Sequence, residues 1–287
     1  MGLVFLDGEY LDFAQAKVSV EDRGYQFGDG IYEVVRCYRG IPFQLGAHLE
    51  RLEKSARAIE LDLPYSREEM EEITSELLAR SGIQEAQLYI QVTRGTAPRS
   101  HFWPEGIKPV VVMYVREAAP PEEGLRRSGV KVITVVDDRW KRCNVKSLNL
   151  LPNVLAKNRA RQAGAFEAVF YEEESRLVNE GSSSNVFALV ADTLVTPDLG
   201  HNILPGITRK VVLDIARQKG LPVKEDRLSL DDLYRAQEVF ITSTVVEIMP
   251  VVMVDELPVA DGKPGPVTRM LYEAYREEVE EAIKKAR

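Results

Sequence analysis

The chain has 287 residues, 45% of them hydrophobic and 29% charged, which is material for one large globular domain or two modest ones. A net charge of −8 argues against a general nucleic-acid binder, which needs a basic face. No run of about 18 apolar residues predicts a membrane span, and two cysteines, Cys37 and Cys143, are too few for a disulfide scaffold or a zinc site.

Residues 1–8 read as a strand running into a turn, without the basic start and long apolar stretch of a signal peptide. The Met-Gly start matches a myristoylation pattern only in part. A cytoplasmic protein with reduced thiols is the expectation. Residues 3–5 and 31–38 read as strands. Leu49, Leu52, Ala56 and Ile59 form a helical stripe. Ser66 opens S-R-E-E-M-E-E, an N-cap with acids in the first turn, and that helix should run to Ser81-Gly82. Residues 87–93 and 110–115 are further strands.

The Pro-rich acidic stretch at residues 117–124 has no periodicity and is the best linker candidate. After it come strands at 130–136, 168–171, 186–189, 193–195 and 238–241, and helices at 153–164, 208–220 and 267–285. The reading is an α+β chain with a small N-terminal α/β domain over 1–119, a linker at 120–124 and a larger barrel-like C-terminal domain over 125–287.

Six places carry candidate chemistry. Residues 178–187, V-N-E-G-S-S-S-N-V-F, put Glu180 on a turn beside glycine, three serines and Asn185. Such an acid suits a protonated ring nitrogen like that of pyridoxal phosphate (PLP); a hairpin turn with a solvated glutamate fits the same pattern. Lys146, in W-K-R-C-N-V-K-S-L-N-L-L, is flanked by Val145 and Leu148, and a desolvated lysine can form a Schiff base; Lys141 is its competitor. In P-G-I-T-R (205–209), Thr208 is expected to cap a helix whose N-terminus faces an anion. Thr242-Ser243-Thr244 ends a strand with hydroxyls able to hold phosphate. Arg51, near the start of the helix that holds His48, offers a guanidinium fork. Finally, the loop R-G-T-A-P-R-S-H carries Arg99 and His101, a plausible carboxylate trap. No metal-ligand spacing, nucleotide-binding glycine loop or G-x-S-x-G elbow is present.

In order along nearly the whole chain, R-G-Y-Q-F-G-D-G-I-Y-E-V (23–34), the Arg99/His101 loop, K-S-L-N-L-L, E-G-S-S-S-N-V-F, G-I-T-R and T-S-T resemble the fold-type IV PLP enzymes, and within them the D-amino-acid aminotransferases. The resemblance implies that Lys146 holds PLP as a Schiff base and shuttles protons. Glu180 pairs with the ring nitrogen, and Leu204 packs on the ring. Arg51, Ile207, Thr208, Ser243 and Thr244 bind the phosphate. Tyr32, Arg99 and His101 bind the substrate carboxylate, the last two from the partner of a homodimer. The implied reaction is ping-pong transamination between D-amino acids and 2-oxo acids. Branched-chain L-amino-acid aminotransferases, R-selective amine transaminases and aminodeoxychorismate lyase share the core motifs; the Arg99/His101 loop favours D-amino acids.

Overall fold

A computed structural model of the chain describes residues 2–119 and 123–286. It forms two compact units. The first comprises Met1–Ala119, Val145–Asn149 and Ala282–Arg287, the second Pro120–Asn144 and Leu150–Glu281. Among the described residues no helix is long and apolar enough to cross a membrane.

The first unit contains β1 (Leu3–Leu6), β2 (Glu9–Asp12), α1 (Arg23–Phe27), β3 (Gly30–Tyr38), β4 (Ile41–Pro42), α2 (Leu45–Ala58), α3 (Arg67–Ser81), β5 (Ala86–Thr93) and β6 (Val110–Glu117). Its strands form an antiparallel sheet in the order β2-β1-β6-β5-β3-β4. Strand alternation explains the packing. Ile31, Val35, Leu88, Ile90, Val92, Val111 and Met113 share one core with Leu49, Leu52 and Ala56 of α2 and Met70, Ile73 and Leu77 of α3. On the alternate positions of the three strands, Tyr32 stacks on Tyr89 at 5.9 Å between ring centroids, and Tyr89 on Tyr114 at 5.0 Å. Ser66 caps α3 as its sequence predicts: its hydroxyl accepts from Glu69 N–H while Glu69 reaches back to Ser66 N–H, and Gly82 ends the helix in the left-handed conformation.

The segment Val145–Asn149 joins this unit by pairing with β3. Tyr32 N–H donates to Lys146 O at 3.0 Å and Leu148 N–H to Gly30 O at 3.0 Å. Gly30 permits the approach, since a Cβ there would meet Val92 O at 2.7 Å and Leu148 Cδ1 at 2.8 Å. The two units therefore depart from a simple cut at 120–124: residues 145–149 and 282–287 group with the N-terminal part. Of the expected linker, 120–122 lie outside the described residues, and Glu123 opens a helix.

The second unit contains α4 (Glu123–Ser128), β7 (Val130–Val136), α5 (Leu151–Gln162), β8 (Glu167–Tyr171), β9 (Val178–Gly181), β10 (Asn185–Val190) and β11 (Thr193–Thr196). There follow α6 (Ile207–Gln218), β12 (Val223–Glu225), α7 (Leu230–Arg235), β13 (Glu238–Ser243), β14 (Glu247–Val254), β15 (Leu257–Pro258) and α8 (Pro266–Lys285), whose residues from Ala282 on group with the first unit. The half-barrel sheet runs β12-β11-β10-β13-β14-β7-β8-β9, with β15 paired to β14. Its core joins Val132, Val169, Val186, Ala188, Val239, Ile241, Met249 and Val251 with Leu230 and Leu233 of α7.

Two local expectations are corrected. Glu180 lies on β9, all four residues of which are buried, and not on a turn; the turn is Ser182–Ser184, closed by Gly181 N–H to Ser184 O at 2.6 Å. Pairing with β8 holds Val178 and Gly181 extended, a tertiary contact that outweighs the local turn composition. Thr208 does not cap α6. Pro205 leads into Gly206, which is extended at φ −64°, ψ 135° and is the N-cap; no side chain caps this turn, and Thr208 is the second helical residue. Burial pushes the Cys37 thiol up to about 12 and the Cys143 thiol to about 11.

Candidate active site

In the first unit, Lys146 is half-buried, its Nζ 4.3 Å from the centroid of the Tyr32 ring. Its backbone N–H donates to Ser55 Oγ of α2 at 3.2 Å, so helix and strand both fix its main chain. One position beyond Tyr32 on β3, Glu33 points to the helix side and is fully buried. Arg51 holds it in a fork, Nε to Oε1 at 2.7 Å and Nη2 to Oε2 at 2.9 Å, and His48 Nδ1 meets Oε2 at 2.7 Å. Burial alone would raise the Glu33 carboxyl, but Arg51 and His48 overrule it and hold it well below the usual carboxylate range. Burial lowers His48 despite Glu33, and because an ionised Glu33 can only accept, His48 Nδ1 carries the hydrogen of the bond between them. The loop after β5 carries Arg99 and His101, both exposed; Arg99 lies over the Phe27 ring at 4.4 Å, and the His101 ring is 5.7 Å from the same ring.

In the second unit, Glu180 is the centre of a buried network. Arg139 Nη1 donates to Glu180 Oε1 at 2.7 Å, while Leu204 N–H and Asn185 Nδ2 donate to Oε2 at 3.0 and 3.3 Å. Arg139 forks onto Asp137, Nε to Oδ1 at 2.9 Å and Nη2 to Oδ2 at 2.7 Å, and lies 4.3 Å over the Phe170 ring. Burial pushes the Glu180 carboxyl up to about 7 against the pull of Arg139. Against the same desolvation, Asp137 and Glu180 hold the Arg139 proton more tightly than usual.

From Glu180 the network continues along β10. Asn185 Nδ2 also donates to Leu204 O at 3.0 Å, and Asn185 is opposite Thr242 in the β10–β13 register. Gly206 sits against Asn185, where any Cβ would overlap Asn185 Oδ1. The uncapped first turn of α6 offers backbone N–H groups at Ile207 and Thr208, the arrangement that binds anions. Thr242 Oγ1 is buried with no hydrogen-bond partner among the described residues, and Ser243 and Thr244 follow it. Glu180, Leu204, Asn185, Gly206 and Thr242 thus lie along one strip, with the uncapped start of α6 beside Gly206.

The three serines of the S-S-S run serve a different acid. Ser182, Ser183 and Ser184 hydroxyls all donate to Glu167, which is 1% exposed, and Lys157 Nζ pairs with it at 3.2 Å. Sequence reasoning missed Glu33, Asp137, Arg139 and Glu167. Asp137-Asp138-Arg139 at the end of a strand was the available signal, for charges that become buried need partners. Among the described residues no group of His, Cys, Asp and Glu could hold a metal ion.

A family model described as amino-transferase class IV matches residues 30–254. A D-alanine aminotransferase of Staphylococcus haemolyticus is 45% identical over 98% of this chain and 99% of its own length. One from Listeria monocytogenes is 44% identical over 97% of this chain and 96% of its own. Among solved structures, the T.th. branched-chain amino acid aminotransferase with pyridoxamine 5'-phosphate has a TM-score of 0.88 at 32% identity, covering 96% of this chain and 93% of that one.

Proposed function

The chain belongs to the class IV aminotransferases, and from that premise we propose that it moves amino groups between D-amino acids and 2-oxo acids with pyridoxal phosphate as its cofactor. The observation that carries the cofactor is the strip from Glu180 through Asn185 to Gly206 and Thr242. Its donor set fits: a buried carboxyl suits a ring N–H, Gly206 lets the uncapped start of α6 lie against Asn185, and the Thr242 hydroxyl opposite Asn185 is left without a partner among the described residues. Choice of D-amino acids rests on near full-length identity of 44–45% to D-alanine aminotransferases, against 32% to the branched-chain enzyme.

Bound there, pyridoxal phosphate supplies the electron sink for charge developing at the substrate Cα. Glu180 holds the ring nitrogen, and Arg139 and Asn185 keep its carboxyl oriented. Leu204 packs on the ring. Ile207, Thr208, Ser243, Thr244 and Arg51 hold the phosphate, with Arg51 oriented by Glu33. Lys146 Nζ is the covalent anchor and the base that takes the proton from substrate Cα. Tyr32, Arg99 and His101 bind the substrate carboxylate, a charge-assisted recognition. Two substrates using one set of residues in turn give ping-pong kinetics.

We read the enzyme as a cytoplasmic homodimer in which Arg99 and His101 serve the partner subunit's substrate. Both cysteines are free, in keeping with a reducing compartment. Phe102 and Tyr25, 86% and 77% exposed in the single chain beside that loop, support a covered surface there. Absorbance spectra test the proposal: the visible cofactor band should fall on adding D-alanine and persist with L-valine, and the converse would favour the branched-chain reading.

A further inference from the structure

The loop that carries Arg99 and His101 is tied to α1 at its base and at its apex. The loop's base is pinned by backbone bonds: Arg23 N–H donates to Gly95 O at 2.9 Å, Arg94 N–H to Asp29 O at 3.0 Å and Ala97 N–H to Glu21 O at 3.2 Å. Arg94 reinforces it, pairing with Asp29, donating to the carbonyls of Ile59 and Glu60 and lying 4.1 Å from the centroid of the Trp103 ring. The apex, where Arg99 and His101 sit, is held differently. Arg23 is 3% exposed, and its guanidinium reaches three consecutive apex carbonyls: Nη1 to Ser100 O at 2.6 Å and Phe102 O at 3.4 Å, and Nη2 to His101 O at 3.4 Å. Its Nε donates to Asp29 Oδ2 at 2.8 Å, so the fork itself cannot swing. Phe27, one turn along α1, is the platform for both arginines: Arg23 lies 4.8 Å and Arg99 4.4 Å from its ring centroid, with the His101 ring 5.7 Å away. Arg99 Nη1 also donates to Gln26 O at 3.3 Å.

We infer that Arg23, with Phe27 beneath it, is a positioning residue for substrate carboxylate recognition: it fixes the loop apex so that Arg99 and His101 present their charges together. The inference rests on the reading of Arg99 and His101 as the carboxylate trap. It gives the R-G-Y-Q-F segment and the distant R-S-H segment one joint task. Arg23 need not touch substrate. A small displacement of oriented groups is costly even when they all remain present.

The experiment compares wild type, Arg23→Lys, Phe27→Leu and Arg99→Ala. Lysine keeps the charge beside Asp29 but cannot span three carbonyls, and Asp29 retains Arg94 as a partner in every variant. The expected result is that Arg23→Lys raises KM for D-alanine and for 2-oxoglutarate about tenfold or more. Turnover at saturation and the cofactor spectrum should stay near wild type, and (R)-1-phenylethylamine, which has no carboxylate, should be handled as before. Phe27→Leu should act in the same direction. A second readout needs no turnover: amide exchange at residues 99–103 should speed up in Arg23→Lys apoprotein and stay unchanged in β5. The inference is overturned if Arg99→Ala weakens D-alanine while both Arg23→Lys and Phe27→Leu leave its KM and the loop's exchange within twofold of wild type. If Arg99→Ala itself leaves D-alanine unaffected, the trap reading falls and the inference falls with it.

Discussion

Arg139 and Glu180 form the buried ion pair on which the second unit's polar network turns, with Nη1 and Oε1 2.7 Å apart and both side chains under a tenth exposed. The same guanidinium forks onto Asp137, so one cation faces two carboxyl groups, and Asn202 O takes a further bond from Nη2 at 3.0 Å. The arrangement leaves the site short of positive charge, which favours a cationic ring nitrogen beside Glu180.

Arg139→Met should therefore destabilise the apoprotein by about 3–5 kcal/mol, the cost of leaving buried charge without its partner. Adding Asp137→Asn should recover part of that loss, because one of the two stranded carboxylates is removed. Thermal unfolding of both variants checks this. Additive or worse destabilisation in the double variant would contradict the coupling.

Glu180→Gln should retain cofactor but slow turnover on the order of a hundredfold, since a charge-assisted contact that strengthens in the transition state is lost. It should also change the pH dependence of stability. With its carboxyl raised to about 7 from an ordinary 4.5, folded Glu180 binds a proton that the unfolded chain has released between those values. Its contribution is complete below pH 4.5 and is lost as pH rises through 7. Wild-type apoprotein should thus lose stability relative to Glu180→Gln between about pH 5 and 8. A constant difference measured by denaturant unfolding at several pH values would contradict the raised carboxyl.

Much of this was legible locally. The N-cap at Ser66, the helical stripe of α2 and the strand Val130–Val136 follow from residues near one another in sequence. What escaped depends on distant partners. Glu180 sits in a strand because β8 pairs with β9, the three serines turn to Glu167 rather than Glu180, and the Lys146 segment joins the first unit through Gly30 of β3. The uncapped start of α6 misled for a related reason. A threonine after Gly-Ile looks like a cap, yet the extended Gly206 takes that place and leaves the backbone N–H groups of the first turn free of a capping side chain.

Gly206→Ala should weaken cofactor binding about tenfold or more, equivalent to about 1.4 kcal/mol. A Cβ there overlaps Asn185 Oδ1, so either Asn185 leaves Glu180 and Leu204 or the α6 N-terminus shifts. Titration of apoprotein with pyridoxal phosphate checks it, and wild-type affinity would show that the strip is not the cofactor's seat.

Borohydride treatment of the holoenzyme, followed by peptide mapping, should place the cofactor label on Lys146. Its Nζ stands by the Tyr32 ring and its main chain is fixed by Ser55 and β3, whereas Lys141 is exposed. A label on Lys141 would overturn the assignment.

Transamination of D-amino acids is tested most directly by one steady-state measurement: kcat/KM for D-alanine and for L-valine, each with 2-oxoglutarate, on the same preparation. Pyruvate should form from D-alanine with a kcat/KM about a hundredfold or more above that for L-valine, equivalent to about 2.8 kcal/mol, within what a well-placed contact to a charged carboxylate supplies. A preference for L-valine would contradict it.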